Sequence, residues 1–507
     1  MSSITIAADW IRYRAMFGPH IEAVHDLASD RHFTYPEFDA RIDKVAAFLQ
    51  QTLGVTRGAR IAVLSMNDSD VFEIQFACQR IGAVFLPINW RLAVPEIEYI
   101  CNDSTPHVLI SGTEFIDNVR EVAKRLGTAH VVSLANGADS DYEHGIANAP
   151  EHYQQETMAL TDTWTVMYTS GTTGRPKGAL ITYLMVLYNA VHCAQTVDVT
   201  SASKNLVVLP TFHTGGLNVY ANPVFHSGGT NVVMRSFEPA NFLGLMTDKQ
   251  LHLTHVLGVP TNFLMAAQEP GFAEADLSHI ESLGVGGAAA PLSVIETYAA
   301  KGLMMQQMWG MTETGPLGLV LPRHQAINKV GSSGLPCNHI QLKILDEDGS
   351  EAGADVTGEL MIRGPSVTPG YWNLPEASAN SFTEDGWFHT GDAARRDTDG
   401  FYFIVDRWKD MFISGGENVY PVEVENVIYR LEGVLETAII GIPNEKWGEV
   451  GRAFVVLKPG SNLTANAVIS HCRENIAAFK VPKEVRIIDE LPHNATGKIL
   501  KHQLPRD

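Results

Sequence analysis

The chain has 507 residues, more than one hydrophobic core normally supports, so two or more domains are expected. With 45% hydrophobic and 19% charged residues it is globular rather than disordered. A formal charge of −20, from 37 basic against 57 acidic side chains, argues against nonspecific binding to nucleic acid or an anionic membrane. Reading from the start, Met1 to Trp10 carry no basic stretch followed by an apolar core. No run reaches the roughly 18 apolar residues of a membrane span, so a cytoplasmic protein without integral membrane association is expected. Cys78, Cys101, Cys193, Cys337 and Cys472 are scattered and never in C-x-x-C spacing, which reads as reduced, structural thiols. Sequon-like triplets at Asn67, Asn102 and Asn462 carry no meaning without a secretory route.

Up to about residue 330, short apolar runs alternate with helix-like segments. Arg60 to Leu64 and Val84 to Ile88 read as strands, and Asp70 to Ile81 as a helix. A further helix over Pro95 to Cys101 is opened by proline in its first turn. Trp164 to Tyr168 alternates and is rich in large apolar and β-branched residues, predicting another strand. Leu206 to Leu209, Asn231 to Met234, Thr254 to Leu257 and Ile280 to Val285 repeat the pattern. Such alternation implies an α/β protein with doubly wound parallel sheets and helices on both faces. From about Gly331 to Val405, short strands such as Gly358 to Arg363 and Gly400 to Val405 predict a small antiparallel unit. The last hundred residues read as a separate α+β domain. A helix begins near Pro421, strands cover Thr437 to Ile442, Ala453 to Leu457 and Val485 to Ile488, and a helix covers Val468 to Ala478. The boundary is expected near Asp406 to Asp410, giving domains 1–406 and 407–507.

Six clusters bear on chemistry. After the 164–168 strand, Tyr-Thr-Ser-Gly-Thr-Thr-Gly-Arg-Pro-Lys-Gly-Ala (168–179) combines hydroxyls on Thr169, Ser170, Thr172 and Thr173 with Gly171, Gly174 and Lys177. Glycines let backbone N–H groups approach phosphate oxygens, and Lys177 supplies a point charge, so polyphosphate is the expected ligand. Arg175 and Pro176 separate Gly174 from Lys177, which excludes a P-loop. His213, in Pro210 to Gly216, sits among apolar neighbours and reads first as a satisfied core histidine. Gln307 to Thr314 follows an expected buried strand. There Glu313 is either a carboxylate for a divalent cation or a solvated loop acid, and Trp309 either a flat face for a purine or core filling. Asp392 closes Trp387-Phe388-His389-Thr390-Gly391-Asp392, fifteen residues before Arg407; an aspartate can accept from both ribose hydroxyls, and a guanidinium can bind ribose or phosphate oxygens. Ser414-Gly415-Gly416-Glu417-Asn418 is a second glycine-rich turn, on composition as easily a bare turn as a binding one. Lys498, in Asn494 to Lys501, lies where chain ends usually fray.

Taken in this order, the string 168–179, Gly310 to Glu313, the segment ending at Asp392, Asp406-Arg407, Ser414 to Pro421 and Thr496-Gly497-Lys498 resemble the motifs of the adenylate-forming superfamily. That superfamily includes acyl-CoA synthetases, aryl-CoA ligases, peptide-synthetase adenylation domains and beetle luciferases. The likeness spans nearly the whole chain, and the continuous Gly-Gly-Glu-Asn-Val-Tyr-Pro segment most resembles bacterial acid–CoA ligases for fatty and aromatic acids. The resemblance implies ATP and CoA as co-substrates, Mg2+ as cofactor and a small-molecule carboxylic acid as partner. It further implies that residues 169–174 and Lys177 hold the β- and γ-phosphates, Thr312 contacts the α-phosphate region and Glu313 binds Mg2+. Gly287, Ala288 and Trp309 would border adenine, Asp392 the ribose, and Arg407 the ribose and nearby phosphate. Lys498 would bridge carboxylate and α-phosphate oxygens in the first step. The C-terminal domain would then turn about Lys409 and bring Ser414, Gly415, Gly416 and Glu417 along the CoA channel.

Three departures from the family pattern bear on the acid. Met308 stands where glycine or alanine is common, Trp309 where tyrosine is common, and Ala289 where proline is common. Bulk at Met308 predicts a short acyl pocket, for a medium-chain fatty acid or an aryl acid of hydroxycinnamic type, with His213 as its gate by resemblance. Two alternatives stand beside this reading: an acyl-AMP ligase that loads a carrier-protein thiol, and a non-catalytic nucleotide-binding paralogue, which would have lost Lys177, Glu313 or Lys498. Oligomeric state is left open, with a homodimer among the options.

Overall fold

A computed structural model describes residues 5–506 except 129, 136–138, 170–175, 347, 408–409, 415–416, 445–446, 477 and 494–498. Two mixed sheets form the body of the protein. In the nine-stranded sheet, six neighbours run parallel: Met305–Gly310, Ser282–Val285, His255–Gly258, Lys204–Val207, Thr230–Val233 and Glu22–Asp26. Antiparallel strands Leu317–Val320 and Leu335–Pro336 extend one edge, and Arg31–Thr34 closes the other. The six-stranded sheet orders His130–Leu134, Val108–Gly112, Arg60–Leu64, Val84–Pro87, Thr163–Thr169 and Lys177–Thr182, all parallel except the last.

The helix Ser69–Ile81 is buried at all thirteen positions, a requirement met by its apolar Val71, Phe72, Ile74, Phe76 and Ala77. It packs in one core with Val24, Val207 and Val233 of the larger sheet and Ile61, Val63 and Phe85 of the smaller. Two sheets sharing buried helices are what the strand–helix alternation implies, and the expected strands fall on observed ones. The sequence reading does not anticipate the N-terminal helix Trp10–Phe17 or the Glu22–Thr34 hairpin, whose short strands carry charge and histidine.

Four antiparallel strands, Gln341–Leu345, Gly358–Arg363, Phe388–Arg396 and Tyr402–Arg407, make the small β unit. A separate C-terminal domain follows. Its five-stranded sheet (Phe412–Ser414, Glu417–Val419, Val434–Asn444, Gly448–Leu457 and Glu484–Ile488) is covered by helices Pro421–Ile428 and Ala465–Asn475 over its own apolar core. All five cysteines are free and buried. Among the described residues no helix is long and apolar enough to cross a membrane.

Candidate functional site

Parallel α/β sheets present ligands with the carboxyl ends of their strands. In the nine-stranded sheet, three such ends carry predicted residues: His213 follows Lys204–Val207, Gly287 and Ala288 follow Ser282–Val285, and Met308 to Thr312 end the Met305–Gly310 strand. The Gln307 to Gly310 segment therefore belongs to a strand rather than following one, because Met308 and Trp309 pair with Val320 and Leu319 of the neighbouring antiparallel strand. Gly310 ends it at a place only glycine can occupy: a Cβ there would lie 1.9 Å from the carbonyl oxygen of Pro316. The chain then turns tightly through Thr312–Thr314, where Thr314 Oγ1 accepts from Met311 N at 3.0 Å.

Glu313 is 6% exposed, which removes the solvated-acid alternative. Tyr371 donates its hydroxyl to Glu313 Oε1 at 3.1 Å, and Thr368 N donates to the Glu313 carbonyl at 2.7 Å. The ring of Tyr371 faces the other predicted group, with Lys177 Nζ 5.1 Å from its centroid. Tyr371 can reach both because residues 368–372 lie along the edge strand Lys177–Thr182. Ala179 and Tyr371 form a bridge there, Trp372 N donates to Gly178 O at 2.7 Å, and Leu180 N donates to Gly370 O at 3.0 Å. Tyr371 is not among the expected residues, because its Pro-Gly-Tyr-Trp-Asn surroundings read as an uncharged loop whose only signal is an aromatic residue beside glycine.

The string 168–179 does not run from strand to helix as in a P-loop. Thr169 and Lys177 are the last pair of an antiparallel hairpin, with Thr169 Oγ1 donating to Lys177 O at 3.4 Å, so strand register holds both ends of the loop. Ser170, Gly171, Thr172, Thr173 and Gly174 lie outside the described residues. Tyr168, at the base, donates to Asp103 Oδ2 at 2.5 Å; burial and that carboxylate push its phenol well above its ordinary pKa.

Trp309 and Asp392, 83 positions apart, are joined directly. The indole Nε1 donates to Asp392 Oδ2 at 2.8 Å, with both residues buried at 8% and 5% exposure. Trp309 is thus at once core filling and a neighbour of the predicted ribose acid. Thr390 Oγ1 accepts from Asp392 N at 3.1 Å, and Arg407 stands opposite Asp392 in the adjoining strand. Gly287 (φ +77) and Ala288 are exposed at their strand end. Buried Gln307 fastens their loop to the Met305–Gly310 strand, donating to Ala288 O at 3.1 Å and accepting from Ala290 N at 2.9 Å.

Met308 is 4% exposed and packs with Tyr220, Leu257 and Trp309. Its methyl, the Tyr220 hydroxyl and Leu257 Cδ1 all converge on Gly284, where a Cβ would meet them at 2.9, 2.6 and 2.9 Å. His213 is half-buried, not a fully buried core histidine. Its Nδ1 accepts from Gly215 N at 3.1 Å as the chain enters a π-helical turn, Gly215–Val219. Asn67, which the sequence reading sets aside as an empty sequon, holds this segment in place. Its Oδ1 accepts from Thr211 N at 2.9 Å, and its Nδ2 donates to Leu209 O at 3.0 Å and Met234 O at 3.1 Å.

Ser414 pairs with Glu417 in a hairpin of the C-terminal sheet, a different sheet from those that carry the other residues. Lys409, Gly415, Gly416 and Lys498 lie outside the described residues.

Comparison with known proteins identifies the family. The family model described as AMP-binding enzyme matches residues 12–372, and that described as AMP-binding enzyme C-terminal domain matches 423–498. A feruloyl-CoA synthase of Amycolatopsis sp is 38% identical over 498 residues, covering 98% of each chain. A long-chain-fatty-acid–CoA ligase of Mycobacterium tuberculosis is 36% identical over 496 residues, covering 97% of this chain and 96% of its own. The structure of o-succinylbenzoate coenzyme A synthetase from Bacillus subtilis in complex with ATP and magnesium ion superimposes with a TM-score of 0.88 at 29% identity, covering 99% of this chain and 100% of that one. The chain belongs to the adenylate-forming, AMP-binding enzyme family and is an AMP-forming acid–CoA ligase that uses ATP and CoA.

Proposed function

We propose that the acid is of medium length, a medium-chain fatty acid or an aryl acid of hydroxycinnamic type, and that the reaction runs in the cytoplasm. The observation that supports this reading is the packing of Met308 against Tyr220 and Leu257 over Gly284; if the acyl chain runs past Met308, that packing leaves less room for a longer one. Relatives that act on an aromatic acid and on long-chain fatty acids leave both acid classes open to this fold. In this reading His213, whose 210–216 segment is held by Asn67, serves as the gate to the acyl pocket.

In the first half-reaction a carboxylate oxygen attacks the α-phosphorus of ATP and pyrophosphate leaves, giving acyl-AMP. In the second, the CoA sulfur attacks the acyl carbon, the thiol proton is lost and AMP leaves. Charge builds on oxygen in both, so fixed donors and cations carry much of the catalysis. In this reading residues 169–174 and Lys177 bind the β- and γ-phosphates, and Thr312 binds near the α-phosphate. Gly287, Ala288 and Trp309 border the adenine, and Asp392 with Arg407 takes the ribose. The buried Glu313 carboxylate, oriented by Tyr371, suits a hard divalent cation, and Mg2+ held there would neutralise phosphate charge. Lys498 serves adenylation. The 414–417 turn serves the thiol step after rotation about Lys409, with the domain boundary between Asp406 and Arg407.

Incubation with Mg-ATP, CoA and a pooled panel of fatty and aromatic acids, read by mass spectrometry, tests the proposal. Acyl-CoA products of medium fatty or aryl acids are expected. Products confined to very long chains would overturn the acid class. Acyl-AMP without thioester would favour the alternative that the thiol belongs to a carrier protein.

A further inference from the structure

The edge hairpin of the nine-stranded sheet carries a group of side chains that the ligase reaction does not use. His25, on strand Glu22–Asp26, stands directly opposite His32, on Arg31–Thr34. Their rings stack with centroids 3.9 Å apart and planes 26° from parallel. Glu22 reaches the same face, its Oε1 2.6 Å from His32 Nδ1. One ligand atom from each of the three lies within 4.8 Å of the others. Asp30 Oδ1 stands 3.7 Å from the other His32 nitrogen, Nε2.

We propose that Glu22, His25 and His32 form a binding site for a divalent transition-metal ion of the zinc, nickel or copper type, separate from the catalytic Mg2+. Two imidazoles and one carboxylate are the donor set such ions prefer, and hard Mg2+ disfavours. Asp30, largely exposed, adds negative charge beside the site without a hydrogen bond to His32. The ligands are carried on a backbone held from both sides: Glu22–Asp26 pairs with Thr230–Val233 as well as with Arg31–Thr34. Asp26 Oδ1 closes the turn by accepting from Ala28 N at 3.0 Å and Ser29 N at 3.2 Å. His32 and Glu22 are partly exposed, which leaves room for water in the remaining coordination positions.

Four strands separate Glu22–Asp26 from the Met305–Gly310 strand in sheet order, about 24 Å at the usual spacing, so this ion takes no part in the ligation. It would clamp the last two strands of the sheet across their side chains.

The test is calorimetric titration of the metal-stripped full-length protein with zinc chloride in millimolar Mg2+, alongside His25→Ala, His32→Ala and Glu22→Gln. Wild type should bind one saturable equivalent that Mg2+ does not displace and should melt at a higher temperature with it. Each variant should bind at least about tenfold more weakly and lose that rise. Cobalt absorbance of the wild type should report nitrogen and oxygen ligation. Unchanged ligase turnover in each variant shows that its fold is retained, and Glu22→Gln decides the matter if a histidine variant fails to fold. Absence of saturable zinc binding in wild type, or binding unchanged in all folded variants, overturns the proposal.

Discussion

Tyr371→Phe removes one oxygen and keeps the ring, so it separates the hydroxyl contact to Glu313 from the ring contact to Lys177. The hydroxyl donates to Glu313 at 3.1 Å, while the ring faces Lys177 Nζ at 5.1 Å. A hydrogen bond to a charged group contributes about 1.5 to 3 kcal/mol. Tyr371 is half-buried, so water partly replaces the lost donor and the lower end of that range applies, roughly a tenfold effect. The loss falls on a carboxylate suited to Mg2+ and should appear as a tenfold higher Mg2+ requirement in ATP–pyrophosphate exchange, with smaller change at saturating Mg2+. Thioester formation from supplied acyl-AMP needs no triphosphate and should be unchanged. Tyr371→Leu, which also removes the ring from Lys177, should lower adenylation further. Equal loss of both half-reactions in Tyr371→Phe, or exchange with an unaltered Mg2+ dependence, would refute the assignment and leave Tyr371 as a packing residue.

Other perturbations probe the remaining site. Lys498→Ala should cripple acyl-AMP formation and spare thioester formation from supplied acyl-AMP; half-reaction assays check this division of labour. Trp309→Phe deletes the indole donor to buried Asp392 and should weaken nucleotide binding by about 1.5 kcal/mol or more, read as KM for ATP. Met308→Ala should shift preference towards longer acids, worth about 1 to 3 kcal/mol per added methylene, and lower stability by about 2 to 5 kcal/mol; competition between chain lengths and chemical denaturation measure the two. His192, fully buried with Nε2 2.7 Å from the Asn338 carbonyl, has its pKa pushed down by burial to about 4. Its unfolded form takes up a proton below about pH 6.5 and its folded form does not until about pH 4, so it lowers stability as pH falls through that window. His192→Gln should reduce the acid slope of unfolding free energy by up to about 1.4 kcal/mol per pH unit between those limits.

Much of the fold is legible because its signals are local. Arg60–Leu64 and Gly358–Arg363 are apolar or alternating runs bounded by turn residues, and their observed ends match the expected ones. Helix Ser69–Ile81 begins at Asp68, whose side chain caps it, and ends at Gly82 in the left-handed region. Glu313, Lys177, Asp392 and Trp309 stand out by residue type and motif. What local sequence does not carry is how they meet. Nothing around Tyr371 points to Glu313, 58 positions earlier; the contact exists because residues 368–372 lie along the Lys177–Thr182 strand. Asn67 likewise acts through a backbone segment 144 positions away. Such groups are set by tertiary pairing, and one chain read on its own has no term for it.

Asp392 and Arg407 occupy one rung of the small antiparallel sheet, and that rung is the last before Trp408. On the proposed assignment, the place where the nucleotide sugar is held is set by strand register, ahead of the C-terminal domain. If the proposed roles hold, a chimera joined just after Arg407 should take sugar grip and acid choice from one parent, and Lys498 and the 414–417 turn from the other. Such a junction keeps the paired strands Phe388–Arg396 and Tyr402–Arg407 together in one parent.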